Sequence, residues 1–156
     1  ARSLYPHSLH TPGVTMNQQP WIGVISLDLL KQHVAVYLTD EDRMEGLRSM
    51  GVSNPPPIDG PIHGAVTIDT SDEGVLVVSL LLEPTGQQDM STWVHESVHI
   101  TDIILDYLGF PGSLDNTEIR AYTTQYVFEQ IGHILDNHLV AVRKARKRAK
   151  KLAKAA

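Results

Sequence analysis

Residues 65 to 82, AVTIDTSDEGVLVVSLLL, limit what this chain can fold into more than any other stretch. Two apolar runs, Ala65 to Thr70 and Val75 to Leu82, flank the turn residues SDEG, and the pattern predicts a β-hairpin. Pro84 and Gly86 break the second strand. Upstream, HVAVYLT (His33 to Thr39) reads as a strand from its β-branched and aromatic content. WIGVISLDLL is apolar but fits strand or helix equally. DEDRMEGLRSMG is expected to be helical, with acids in the first turn and Gly51 as the stop. SNPPPIDGP is a loop, because no helix or central strand tolerates that density of proline.

After the hairpin a helix is expected to begin near Asp89 or Ser91, either of which can cap it. It should run to Leu108 and stop at GFPG, where Gly109 supplies a left-handed cap. A last helix is expected from Asp115 or Asn116, continuing past His138 into the C-terminal tail. Strands and a helix, a hairpin, then two helices make an α+β pattern. At 156 residues and 17.3 kDa the chain suits one core. The expected division is an extended arm over residues 1–20, which holds three prolines, one domain over 21–142, and a basic helical tail over 143–156.

Composition removes several function classes. With 42% hydrophobic residues, wholesale disorder is not expected. There is no cysteine, so a metal site must use histidine, carboxylate and water, which suits a catalytic zinc better than a structural one. The longest apolar run, Val75 to Leu82, is too short to span a bilayer, and no secretion-signal pattern opens the chain. Charge is unevenly placed. Residues 143–156 carry 8 of the 13 basic side chains and no acid, leaving the other 142 residues with 5 basic and all 18 acidic side chains, a body charge of −13. That asymmetry concerns partners rather than fold.

The stretch STWVHESVHITD, residues 91 to 102, carries the chemistry. On a helix, residues i and i+4 share a face, so His95 and His99 can both reach one metal ion. Glu96, about 100° around the helix from His95, is placed to take a proton from a metal-bound water rather than to ligate. Zinc needs a third protein donor and leaves a fourth position for water. The long HExxHxxGxxH form is excluded, since positions 102 and 105 are Asp and Leu. Glu118, 19 residues after His99 and in the first turn of the next helix, is the best candidate; Asp115 is the runner-up. His133 and His138 lie too far along that helix to share the level. Asp102, a turn beyond His99, is a candidate to orient a ligand imidazole, and Tyr122, a turn beyond Glu118, a candidate oxyanion donor, although both suit ordinary surface or packing roles equally well. Val94, Val98, Ile104, Leu108, Tyr126 and Ile131 are expected in the core.

HESVH with EIRAY resembles the zincin metallopeptidases, specifically the gluzincin arrangement of HExxH followed by a glutamate ligand, and most of all the minimal single-domain members of microbial and tailed-phage genomes. The ExxA start of the second helix is also similar to that of small peptidases that cleave repressors. The resemblance covers residues 65 to about 130, and departs from the larger gluzincins in having Tyr122 where they carry an aspartate. It implies a hairpin or small sheet packed on the motif helix, an edge strand above the metal, and a peptide substrate bound by strand addition. Val75 to Leu82 is the expected strand beside the cleft.

Two functions follow as expectations. One is a zinc metallopeptidase (a hydrolase) using zinc at His95, His99 and Glu118, with Glu96 as base and Tyr122 as helper. The other is a structural or adaptor component of a phage particle on a zincin-like fold, with a metal site that has lost its activity. Its arm and basic tail would then touch neighbouring subunits. Nucleic acid is not an expected partner of so acidic a body, and no membrane is expected; the location would be cytoplasmic, or the virion if phage-encoded.

Overall fold

The computed structural model describes residues 19–55, 57–58, 65–72, 75–82, 90–110, 112 and 116–155. The expected arm therefore lies almost wholly outside the described residues, as do Asp89 and Asp115. The α+β expectation holds: four strands and three long helices succeed one another as β1 (Gly23–Leu27), β2 (Gln32–Tyr37), α1 (Asp40–Ser49), β3 (Ala65–Asp72), β4 (Val75–Leu82), α2 (Met90–Tyr107) and α3 (Thr117–Ala155).

The ambiguous WIGVISLDLL resolves into β1 and a single 3₁₀ turn, Asp28–Leu30, closed by Lys31 in the left-handed conformation. β1 then pairs antiparallel with β2, Ile25 opposite Val34. Strand wins because alternation lets Ile25 and Leu27 bury while Leu29 at the turn stays fully exposed. The sheet order is β1-β2-β4-β3, with β2 and β4 parallel and β3 antiparallel to β4. The hairpin expected over 65–82 is thus present, and β3 is an edge strand. β4 lies inside the sheet, so Val75 to Leu82 is not the edge strand; of the two edge strands, β1 and β3, it is β3 that meets Glu96 of α2, through Thr67. Being internal and covered on both faces also accounts for the apolar run of β4, interrupted only by the buried Ser79.

One face of the sheet, carrying Val34, Val36, Val78, Leu80 and Leu82, packs on Ile100 and Ile104 of α2 and Val127 and Ile131 of α3. The other, carrying Ala35, Tyr37 and Leu81, lies toward α1, where Gly46 leaves room for the Tyr37 ring. Thr39 caps α1 through its Oγ1, which accepts from the Asp42 N–H at 3.1 Å, and Gly51 at φ +95° ends it as expected. At the end of α2, Gly109 takes φ +82°; its N–H donates to the Asp106 carbonyl and that of Phe110 to the Leu105 carbonyl, a Schellman closure. α3 continues through the basic tail, 39 residues or about 58 Å at 1.5 Å per residue. Among the described residues no helix is long and apolar enough to cross a membrane.

Three of the six core assignments fail. Ile104 and Ile131 are fully buried and Leu108 packs against the same cluster, but Val94 and Val98 are 47% and 42% exposed and Tyr126 is 40% exposed. The buried arc of α2 is centred on Ser97, Ile100 and Ile104, which leaves positions 94 and 98 at its margin. Tyr126 instead spans to β1, its hydroxyl donating to the Ser26 carbonyl at 3.0 Å.

Candidate metal centre

The HESVH segment is helical as expected, held by α2 from Met90 through Tyr107 with Ser91 inside the first turn. One turn apart, the His95 and His99 rings converge edge to face, centroids 4.6 Å apart and planes at 84°. Their Nε2 atoms stand 3.0 Å from each other on the exposed side of the helix. Two imidazole nitrogens bound tetrahedrally to one zinc at ~2.0–2.1 Å would be separated by about 3.3 Å. The pair therefore sits within a few tenths of an ångström of the spacing a shared ion imposes, although a hydrogen bond between two neutral imidazoles gives the same distance.

Glu96 points another way. It is 5% exposed, turned toward β3, and its Oε2 accepts a hydrogen bond from the Thr67 Oγ1 at 2.5 Å. A carboxylate is costly to bury unless it is paired or hydrogen-bonded, and one hydroxyl is a small return for that cost. Such a group beside two exposed imidazoles, at the edge of a sheet, is poorly explained by packing and well explained by chemistry. Thr67 was not singled out from sequence. Its signal lay in the hairpin register, which pairs it with Leu80, a residue of the face packed on α2.

The remaining candidates go elsewhere. Asp102 meets α3 rather than an imidazole: its Oδ1 accepts from Arg120 Nη1. Arg120 Nη2 donates to Asp106 Oδ1 at 2.6 Å and to the Phe110 carbonyl at 2.7 Å. The hydrogen bond to Asp106, with the charges of both carboxylates, raises the arginine pKa against the opposing effect of partial burial. Arg120 is the second residue that sequence reasoning missed. It ties the last turns of α2, charge and free carbonyl together, to the first turn of α3.

The same contact fixes the orientation of Glu118. The side of α3 that meets α2 carries Arg120 and Thr124, whose Oγ1 donates to Thr101 Oγ1 at 3.1 Å. Glu118 lies about 160° around the helix from Arg120 at 100° per residue, and is exposed. Measured from the Thr101–Thr124 level, His99 is two residues one way and Glu118 six the other, about 12 Å along the axes. Tyr122 shares the outward stripe and is 69% exposed. His133 is exposed and His138 half-buried further along. The structure thus brings the His95 and His99 rings together, turns Glu96 of the same helix toward Thr67, and leaves Glu118 and Tyr122 apart from the pair. Among the described residues no group of three His, Asp or Glu side chains forms a complete metal cage.

No protein-family model, curated protein or solved structure matches this chain.

Proposed function

We propose that the chain is a zinc-dependent peptidase in which His95 and His99 bind the ion and Glu96 is the general base. The single observation that supports this most is the pair of Nε2 atoms 3.0 Å apart beside a carboxylate that is buried and held by one hydroxyl. The donor chemistry fits zinc at two positions. Glu118 is the proposed third ligand on its chemistry and its spacing in the sequence alone, since the structure holds it outward and about 12 Å along the axes from the His99 level. Tyr122, on the same outward stripe, is the proposed oxyanion donor on the same sequence grounds.

A bound zinc would lower the pKa of a coordinated water and polarise a carbonyl. The chain's own residues supply the rest. Glu96 takes the water's proton, and Thr67 holds that carboxylate in one orientation from β3. The free edge of β3 offers backbone groups to an extended peptide, which pairs as an added strand and is thereby laid across α2.

An adaptor of a phage particle that keeps the zincin-like arrangement without its activity is the second reading. It draws on the outward placement of Glu118. Zinc content and cleavage of a peptide library separate the two. The peptidase reading expects about one zinc per chain and cleavage, both lost in a His95→Ala, His99→Ala double variant. Stoichiometric zinc in that variant, or a zinc-loaded wild type that cleaves nothing, would contradict it.

A further inference from the structure

The sequence weighed the basic tail together with the acidic body, and the structure separates them. Leu135 is the last residue of α3 that packs against the core cluster. Arg143 follows eight residues later and Lys154 nineteen, so the basic segment occupies about 12 to 28 Å beyond the body along a continuous helix. The Debye length at physiological salt is about 8 Å, so the acids of the described core are largely screened from most of these charges. All eight basic residues are exposed, and among the described residues none enters an ion pair. A rigid helix that leads away from its own body cannot fold back to neutralise itself.

Their angular distribution selects the partner. At 100° per residue, Arg143, Lys144, Arg146, Lys147, Arg148, Lys150, Lys151 and Lys154 cover an arc of about 200°. The remaining arc carries Val142, Ala145, Ala149 and Leu152. A flat acidic protein surface or an anionic bilayer meets well under half of a helix's circumference, and a bilayer would also want large apolar residues on the other arc. An arc of 200° needs an anionic trough with two walls. The B-form major groove, ~12 Å wide with phosphates along both rims, admits a helix of ~10–12 Å diameter. Continuous basic helices dock there in known recognition modes.

We infer that the projecting end of α3, residues 143–154, is a docking element for the major groove of duplex DNA, bound through phosphates and without strong sequence preference. The inference is independent of the peptidase reading, and the measurement needs no catalysis.

The test is binding of the full chain to a short mixed-sequence DNA duplex, followed by fluorescence anisotropy as salt rises. With six to eight phosphate contacts, affinity should fall by at least about a thousandfold between about 50 and 200 mM salt. A chain ending at Val142 should lose binding and keep its thermal transition. Ala145→Pro with Ala149→Pro keeps every charge but breaks the helix, and should weaken binding at least about tenfold. The inference is overturned if the truncated chain binds as well as the full one, or if the proline variant binds unchanged. It is equally overturned if polyglutamate or phosphatidylserine vesicles compete as well as the duplex at equal charge, or if the tail drives self-association with no duplex binding.

Discussion

One face of α2 carries His95, His99, Asp102 and Asp106, and its two ends are treated in opposite ways. At the C-terminal end both carboxylates meet a single guanidinium, which also donates to the carbonyl of Phe110 just beyond the helix. Each carboxylate there has an opposite charge against it, shared between the two, and the result is a joint between two helices. At the N-terminal end the two imidazoles meet only each other in the open, while a carboxylate beside them is buried on one hydroxyl. Among the described residues no counter-charge meets them. The contrast is that charge answered by opposite charge builds structure at one end, while the unanswered groups at the other are the ones to which the proposed reading assigns a ligand.

The comparison can be sharpened by removing what holds each end. Thr67→Val deletes the donor to Glu96 while keeping the β-branched shape. Hydrolysis of a model peptide should fall about tenfold, the scale of a lost hydrogen bond to a charged group, with zinc content unchanged and Thr67→Ser close to wild type. A Val variant that also loses zinc would show that Thr67 shapes the whole site.

Arg120→Met breaks the other end, leaving Asp102, Asp106 and the Phe110 carbonyl without their shared donor. The expected result is a lower Tm, read by calorimetry, with zinc stoichiometry at the His pair unaffected. If zinc affinity moves as much as Tm does, the two ends are coupled and the contrast fails. The smallest effect is expected from Gly109→Ala, which forces a side chain into the left-handed conformation at φ +82°. Chemical denaturation should show a loss of about 1 kcal/mol, again without an effect on the site.

Much of the scaffold could be read in advance where local chemistry decides it. Thr39 with the acids after it, Gly51 and Gly109 each act over a few residues, and the helix ends they mark formed as expected. What could not be read was set by contacts between distant segments. Whether WIGVISLDLL is strand or helix depends on Ile25 and Leu27 meeting the α2 and α3 face. The exposure of Val94 and Val98 depends on which arc of α2 the sheet covers, and helical period alone does not say. β4 gave the stronger apolar signal than β3 because it is internal, which is also why it is not the edge. Within the site, the helix spacing fixed His95, Glu96 and His99. The direction of Glu118 depended on Arg120, two residues later, taking the inward position against Asp102 and Asp106.

The most direct test compares wild type with Glu96→Gln for bound zinc and for peptide hydrolysis in the same preparation. Amide replaces carboxylate with little change of shape, so the Thr67 contact and the His pair are kept while the base is removed. The account predicts an unchanged zinc content and hydrolysis lower by at least about a hundredfold. Loss of zinc would make Glu96 a ligand rather than a base, and unchanged hydrolysis would remove it from the chemistry; either result contradicts the account.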